Sequence, residues 1–158
     1  MIQRIQSVYL FLASVLLAGL YFLPVAEFLG DFGYYKLFIT HLESLTPDAE
    51  QFFGNMFFYP SAILNAVVIG IGIITIFKYK NRKLQMKLVN LNVFLTIVSL
   101  MGILFYYVPA VEKATSIKAD YVSELGLYLP LLSLALFVLA LKAIRKDERL
   151  VRSEDRIR

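Results

Sequence analysis

Four long uncharged stretches alternate with charged segments along the chain: Ile5 to Ala26, Gln51 to Phe77, Leu88 to Val111 and Leu125 to Leu141. A helix rises about 1.5 Å per residue and a bilayer core is about 30 Å thick, so roughly 20 apolar residues cross it. The first three stretches exceed that length. The fourth would extend only about 26 Å, with Lys142 snorkelling at one end and Tyr128 at headgroup level at the other. The pattern predicts an all-α fold, a four-helix transmembrane bundle over residues 1–144. Its spans lie near 5–26, 57–77, 86–108 and 125–143, and residues 145–158 form a basic helical tail.

Charge then orients the spans. With both termini and the 78–87 loop in the cytoplasm, 13 of the 16 basic residues lie inside and only Lys36, Lys113 and Lys118 outside. Eight of the 12 acids, from Glu27 to Glu124, fall outside. The positive-inside rule therefore gives N-in and C-in, and the net charge of +4 is an orientation signal. A mean hydropathy of +0.68 and 59% hydrophobic residues agree with a membrane protein. The first run is long for a signal-peptide core, and Leu23-Pro24-Val25-Ala26 lacks the small residue three places before a small cleavage residue. It reads as an uncleaved span. The absence of cysteine removes disulfides and thiolate chemistry.

Residues 27–59 form an aromatic-rich outer loop. Within it Thr46-Pro47-Asp48-Ala49-Glu50 reads as a helix start, with Thr46 as cap, Pro47 first in the helix and acids in the first turn. Gly54-Asn55 would end that short helix. The loop either folds over its own bundle, lies on the bilayer, or packs against a partner.

Polar residues inside the apolar runs mark the faces that look inward. Gln85, Asn92, Thr96, Ser99 and Tyr106 stay within about 80° of arc on a helix. Ser7, Ser14, Ala18 and Tyr21 form a similar stripe on the first span. Ala62, Ala66 and Gly70 recur every four residues, a small-residue face that lets another helix backbone approach. These stripes read as helix–helix contacts, with Asn65 and Asn92 as candidates for a functional pair at different depths.

None of the uncharged stretches contains Asp, Glu, Lys, Arg or His, so an ion-coupled relay lacks its usual buried ionisable group. The sole histidine, His41, lies in the outer loop. No phosphate loop, metal-spaced cluster or activated nucleophile is evident, and a non-catalytic protein with no cofactor is expected. In the tail, Arg145, Arg149, Arg152 and Arg156 would share a stripe about 60° wide on a helix, with acids behind them. That is either a salt-paired topological anchor or a docking face for anionic lipid, RNA or an acidic partner.

The segments MIQRIQSVYL at the start, KNRKLQMK at 80–87 and AIRKDERLVRSEDRIR at the end together resemble a domain-of-unknown-function family of small four-span bacterial inner-membrane proteins. The resemblance covers the whole chain and implies topology and bacterial inner-membrane location, without an activity. The expected role is an accessory subunit or scaffold bound to other inner-membrane subunits, in a respiratory complex or the protein-export machinery. The alternative is a carrier or binder of an apolar ligand such as a lipid or quinone.

Overall fold

The structure, a computed structural model, describes residues 5–30, 33–46, 52–120 and 124–155, and at 30, 119–120 and 150–155 it describes the backbone. The chain is mostly helical. Helix α1 covers Ile5–Gly19, α2 Tyr59–Phe77, α3 Arg82–Gly102, α4 Val108–Thr115 and α5 Tyr128–Asp155. Contacts run from α1 to α2, α2 to α3, α3 to α5 and α5 back to α1, closing a ring. Leu10, Ala13, Leu17, Val68, Val89 and Phe137 fill it.

Three helical segments are long and apolar enough to cross a membrane: Tyr59–Phe77, Arg82–Thr115 and Leu125–Arg149. The shortfall is therefore in the first helix and not in the fourth. Helix α1 has 15 residues and extends only about 22 Å. It stops because Leu20, Tyr21 and Phe22 turn back onto carbonyls of the last turn, and Pro24 cannot continue a helix. Asn65 Nδ2 donates 2.9 Å to the Leu17 carbonyl, satisfying one of the acceptors a helix end leaves open. Leu20 and Val25 are apolar because they are buried at this helix end.

The fold is not wholly helical. Strands β1 (Ala26–Gly30), β2 (Gly33–Leu37), β3 (Leu42–Ser44) and β4 (Ala119–Asp120) form an antiparallel sheet in the order β3-β2-β1-β4. Gly30 faces Gly33 across the β1–β2 hairpin. Side chains alternate: Ala26, Phe28, Tyr35, Leu37 and Ile39 are buried, while Glu27, Leu29, Tyr34 and Lys36 point the other way. The first part of the expected aromatic loop is thus a sheet packed over its own helices. The helix expected from Thr46 falls largely on residues outside the described set. Thr46 itself bonds elsewhere: its Oγ1 accepts from the Tyr34 backbone N–H at 2.8 Å. Gly54 precedes a 3₁₀ turn, Asn55–Phe57, that leads into α2.

Helix α3 starts at Arg82 because the Asn81 side chain accepts from the Leu84 N–H at 3.1 Å. After Gly102 the helix widens into a π segment, Ile103–Tyr107, before α4. The extra residue rotates everything beyond it. Tyr106, expected on the inward stripe, is 59% exposed, and Tyr107 is the buried tyrosine. Tyr107 packs on Phe57 and Phe58 with ring centroids 5.3 and 5.8 Å away. Ser116, at φ 58°, closes α4 in the left-handed conformation, and the chain returns to the sheet as β4.

Candidate functional site

The densest set of interacting ionisable groups among the described residues stands on the sheet. The register of β1 and β2 places Glu27 opposite Lys36, and their side chains pair at 2.7 Å. Tyr34 lies two residues back on the same strand and therefore on the same face. Its hydroxyl donates to Glu27 Oε1 at 2.5 Å. Glu124, just before the 3₁₀ turn Leu125–Leu127, brings a buried carboxylate within 3.7 Å of Lys36 Nζ. That turn is held close to α1: Gly126 N–H donates 3.0 Å to the Pro24 carbonyl. A Cβ on Gly126 would sit 2.1 Å from that oxygen, so only glycine fits.

The two carboxylates have opposite proton affinities. Burial, then the Glu27 hydrogen bond, push Glu124 up to about 7. Glu27 is held down at about 2 by hydrogen bonds from Glu124, Lys36 and Tyr34, in that order. Lys36 is raised by its bonds to Glu27 and Tyr34. The arrangement keeps a proton on Glu124 and a charge on Glu27. No activated nucleophile is part of it. Among the described residues no group of three His, Cys, Asp or Glu could hold a metal ion. The charge pattern puts Glu27, Lys36 and Glu124 all outside but does not bring them together. The alternation Ala26-Glu27-Phe28-Leu29 and Tyr34-Tyr35-Lys36-Leu37 between glycines was the missed hairpin signal.

On α3, Gln85, Asn92, Thr96 and Ser99 are all buried. Asn65 and Asn92 do not form a pair. Asn65 reaches Leu17 at the end of α1, whereas Asn92 stands near Gly72. Gln85 Nε2 donates 3.2 Å to the Thr75 carbonyl and clamps the α2–α3 turn. Ser133 Oγ reaches the Ala13 carbonyl at 3.1 Å and ties α5 to α1. The small-residue face lies elsewhere than inside the ring. Ala66 is exposed, Ala62 and Gly70 are half-buried, and a Cβ on Gly70 would meet nothing within 4 Å. The close-packing glycine is Gly72, where a Cβ would come 2.6 Å from Ser14 Oγ.

At the far end of the ring, Lys80, Asn81, Arg82, Lys83 and Glu148 line an open cleft of about 540 Å³. Arg82 Nη1 donates 2.8 Å to the Asp147 carbonyl, fixing α5 against the turn. Of the tail arginines, Arg145 and Arg149 are exposed on α5. Arg152 continues that helix by its backbone, and Arg156 lies outside the described residues.

No curated protein and no solved structure matches the chain. Residues 2–157 match the family described as Domain of unknown function (DUF4293). With nearly its whole length covered, the chain belongs to that family.

Proposed function

We propose that this protein is a non-catalytic integral protein of the bacterial inner membrane, acting as an accessory subunit or scaffold in a larger membrane assembly. Both termini and the basic cleft face the cytoplasm, and the sheet faces the other side. Four spans are counted here, α1 crossing with help from the apolar turn at 20–25, where Leu20 and Val25 are buried and Phe22 is exposed. Support for a membrane setting comes from the large apolar side chains left exposed along every long helix. Ile63 and Phe77 on α2, Phe94 on α3, and Leu131 and Leu132 on α5 are among them. Lipid contact makes such exposure favourable, whereas water would not.

The observation that carries the subunit reading is the face at Ala62, Ala66 and Gly70. It is built from small side chains and is open at Ala66 and Gly70, while at Ala62 the carbonyl accepts from the Tyr21 hydroxyl at 2.6 Å. Small residues at a helix surface permit the close backbone approach by which membrane helices associate. The exposed Arg145 and Arg149 add a charged surface for anionic lipid or an acidic partner. The apolar-ligand reading has less support. The cavity between sheet and helix ends, lined by Val25, Leu37, Phe58 and Tyr107 among others, holds about 10 Å³. That is room for about one water.

The test compares native size after extraction in a gentle detergent. Ala66→Leu and Gly70→Leu should each release the protein from its assembly to a smaller species, while Ile69→Leu leaves the size unchanged. Equal sizes for all three variants would place the face against lipid and remove the support for a subunit.

A further inference from the structure

The turn between α2 and α3 carries positive charge with no counter-charge of its own. Residues 78–87 hold five basic side chains and no acid. Three of them, Lys80, Arg82 and Lys83, line the open cleft of about 540 Å³ beside α5, together with Asn81 and Glu148. Glu148 is the one acid of that lining, and it is engaged in an interaction of its own. Like charges around one cleft repel, and an anion placed between them relieves the repulsion.

The cleft is built rather than left to solvent. Arg82 is partly buried, and its Nη1 donates 2.8 Å to the Asp147 carbonyl, which holds α5 as the opposite wall. A guanidinium fork has further N–H donors, so that bond still leaves Arg82 able to meet an oxyanion. Lys80 and Lys83 are exposed and supply compact charges with rotatable donors. The volume lies within the range of about 300–1,000 Å³ usual for small-molecule sites.

The surroundings choose among possible anions. Phe77 ends α2 three residues before Lys80 and is 73% exposed, and Ile73 and Ile74 on the turn behind it are exposed as well. Leu84, next after Lys83, is also exposed. The apolar segments Tyr59–Phe77 and Arg82–Thr115 meet at this turn, which puts the cleft at headgroup depth at the end of a span. A free phosphate or an acidic peptide makes no use of the apolar surface beside the cleft. A phospholipid carries phosphate and hydrocarbon on one molecule. We propose that the cleft binds the headgroup of an anionic phospholipid, with Lys80, Arg82 and Lys83 on the phosphate oxygens and an acyl chain along α2 past Phe77. Basic pockets at the ends of membrane helices are suited to such headgroups. The inference rests on the membrane setting proposed above and not on the subunit role.

For the test, the intact protein in detergent is mixed with equal amounts of dioleoyl phosphatidylglycerol and dioleoyl phosphatidylcholine, and bound lipid is read by native mass spectrometry. The unmodified protein should retain phosphatidylglycerol in preference. Lys80→Gln with Lys83→Gln should lower that preference on the order of tenfold, whereas Lys80→Arg with Lys83→Arg should keep it. Lys142→Gln with Lys146→Gln removes the same charge from exposed positions of α5 outside the cleft and should leave the preference unchanged. No preference in the unmodified protein overturns the proposal, and so does an undiminished one in Lys80→Gln with Lys83→Gln. Equal losses in the two glutamine variants would mean diffuse attraction and overturn the site. Glycerol phosphate at the lipid's concentration should not displace it; displacement would make the ligand a free phosphate and overturn the lipid assignment. Lipid is counted on the single protein, so failure of the subunit reading leaves this result standing, and cysteine labelling reads the membrane setting separately.

Discussion

Gly70 and Gly72 are next-but-one neighbours on α2 and meet different surroundings. Open space surrounds the first, whereas the second is pressed against Ser14 and Phe137. Gly72→Ala should therefore destabilise the protein by about 1–3 kcal/mol, since Ser14 is short, hydrogen-bonded and unable to give way. Gly70→Ala, which meets no neighbour and replaces glycine by a better helix former, should be neutral to stabilising by up to about 1 kcal/mol. Thermal unfolding of the two variants in one detergent checks the contrast. The charged cluster on the sheet makes a second residue-level prediction. Glu124, raised to about 7, favours the folded state in its protonated form. Its contribution is full below the ordinary carboxylate range and is lost as pH rises through about 7. Glu27, lowered to about 2, contributes above the ordinary range and loses that contribution as pH falls toward 2. The cluster is thus most stabilising in mildly acidic solution. A melting-temperature profile from pH 4 to 8 should decline between the ordinary carboxylate range and about pH 7 and level off above it, and Glu124→Gln, which imitates the protonated acid, should flatten that decline.

Among the elements, the long helices were legible in the sequence because apolar runs of that length have few alternatives, and the inward side of α3 was legible from its polar spacing. Two features were hidden for physical reasons. A π segment adds one residue to a helix without changing its composition, so the spacing that placed Gln85 to Ser99 correctly assigned Tyr106 where Tyr107 packs. The sheet was hidden because its buried face is aromatic, as lipid-facing or loop-packing residues would also be. Period-two alternation around the glycines was the available signal. The close packing at Gly72 was hidden because spacing alone cannot say which of two small-residue registers faces inward: Ala62, Ala66 and Gly70, or the one holding Gly72. Proximity of Glu124 to Glu27 depends on a contact between segments far apart in the chain, which no local pattern records. That contact rests on Gly126 against Pro24. Gly126→Ala puts a carbon 2.1 Å from a backbone oxygen, and neither the turn nor α1 can yield cheaply. A loss of more than about 2 kcal/mol is expected, with the Glu124 titration shifting toward an ordinary carboxylate. Chemical denaturation and carboxylate NMR would read the two effects.

For the whole molecule, the helix ring exposes apolar side chains, with an ion-paired sheet at one end and a basic cleft at the other. That polarity underlies the central claim: four crossings place both termini with the basic end in the cytoplasm and the sheet outside. The short α1 is the element on which the count depends, because without it the termini fall on opposite sides. The chain contains no cysteine, so single introduced cysteines report their side of the membrane cleanly. Gln3→Cys, Lys80→Cys, Arg149→Cys and Glu43→Cys would be challenged with a membrane-impermeant maleimide in intact cells and again after lysis. The account predicts that only Glu43→Cys is labelled in intact cells, and that the other three are labelled after lysis. Labelling of Gln3→Cys together with Glu43→Cys, while Arg149→Cys stays protected, would contradict it and leave three crossings.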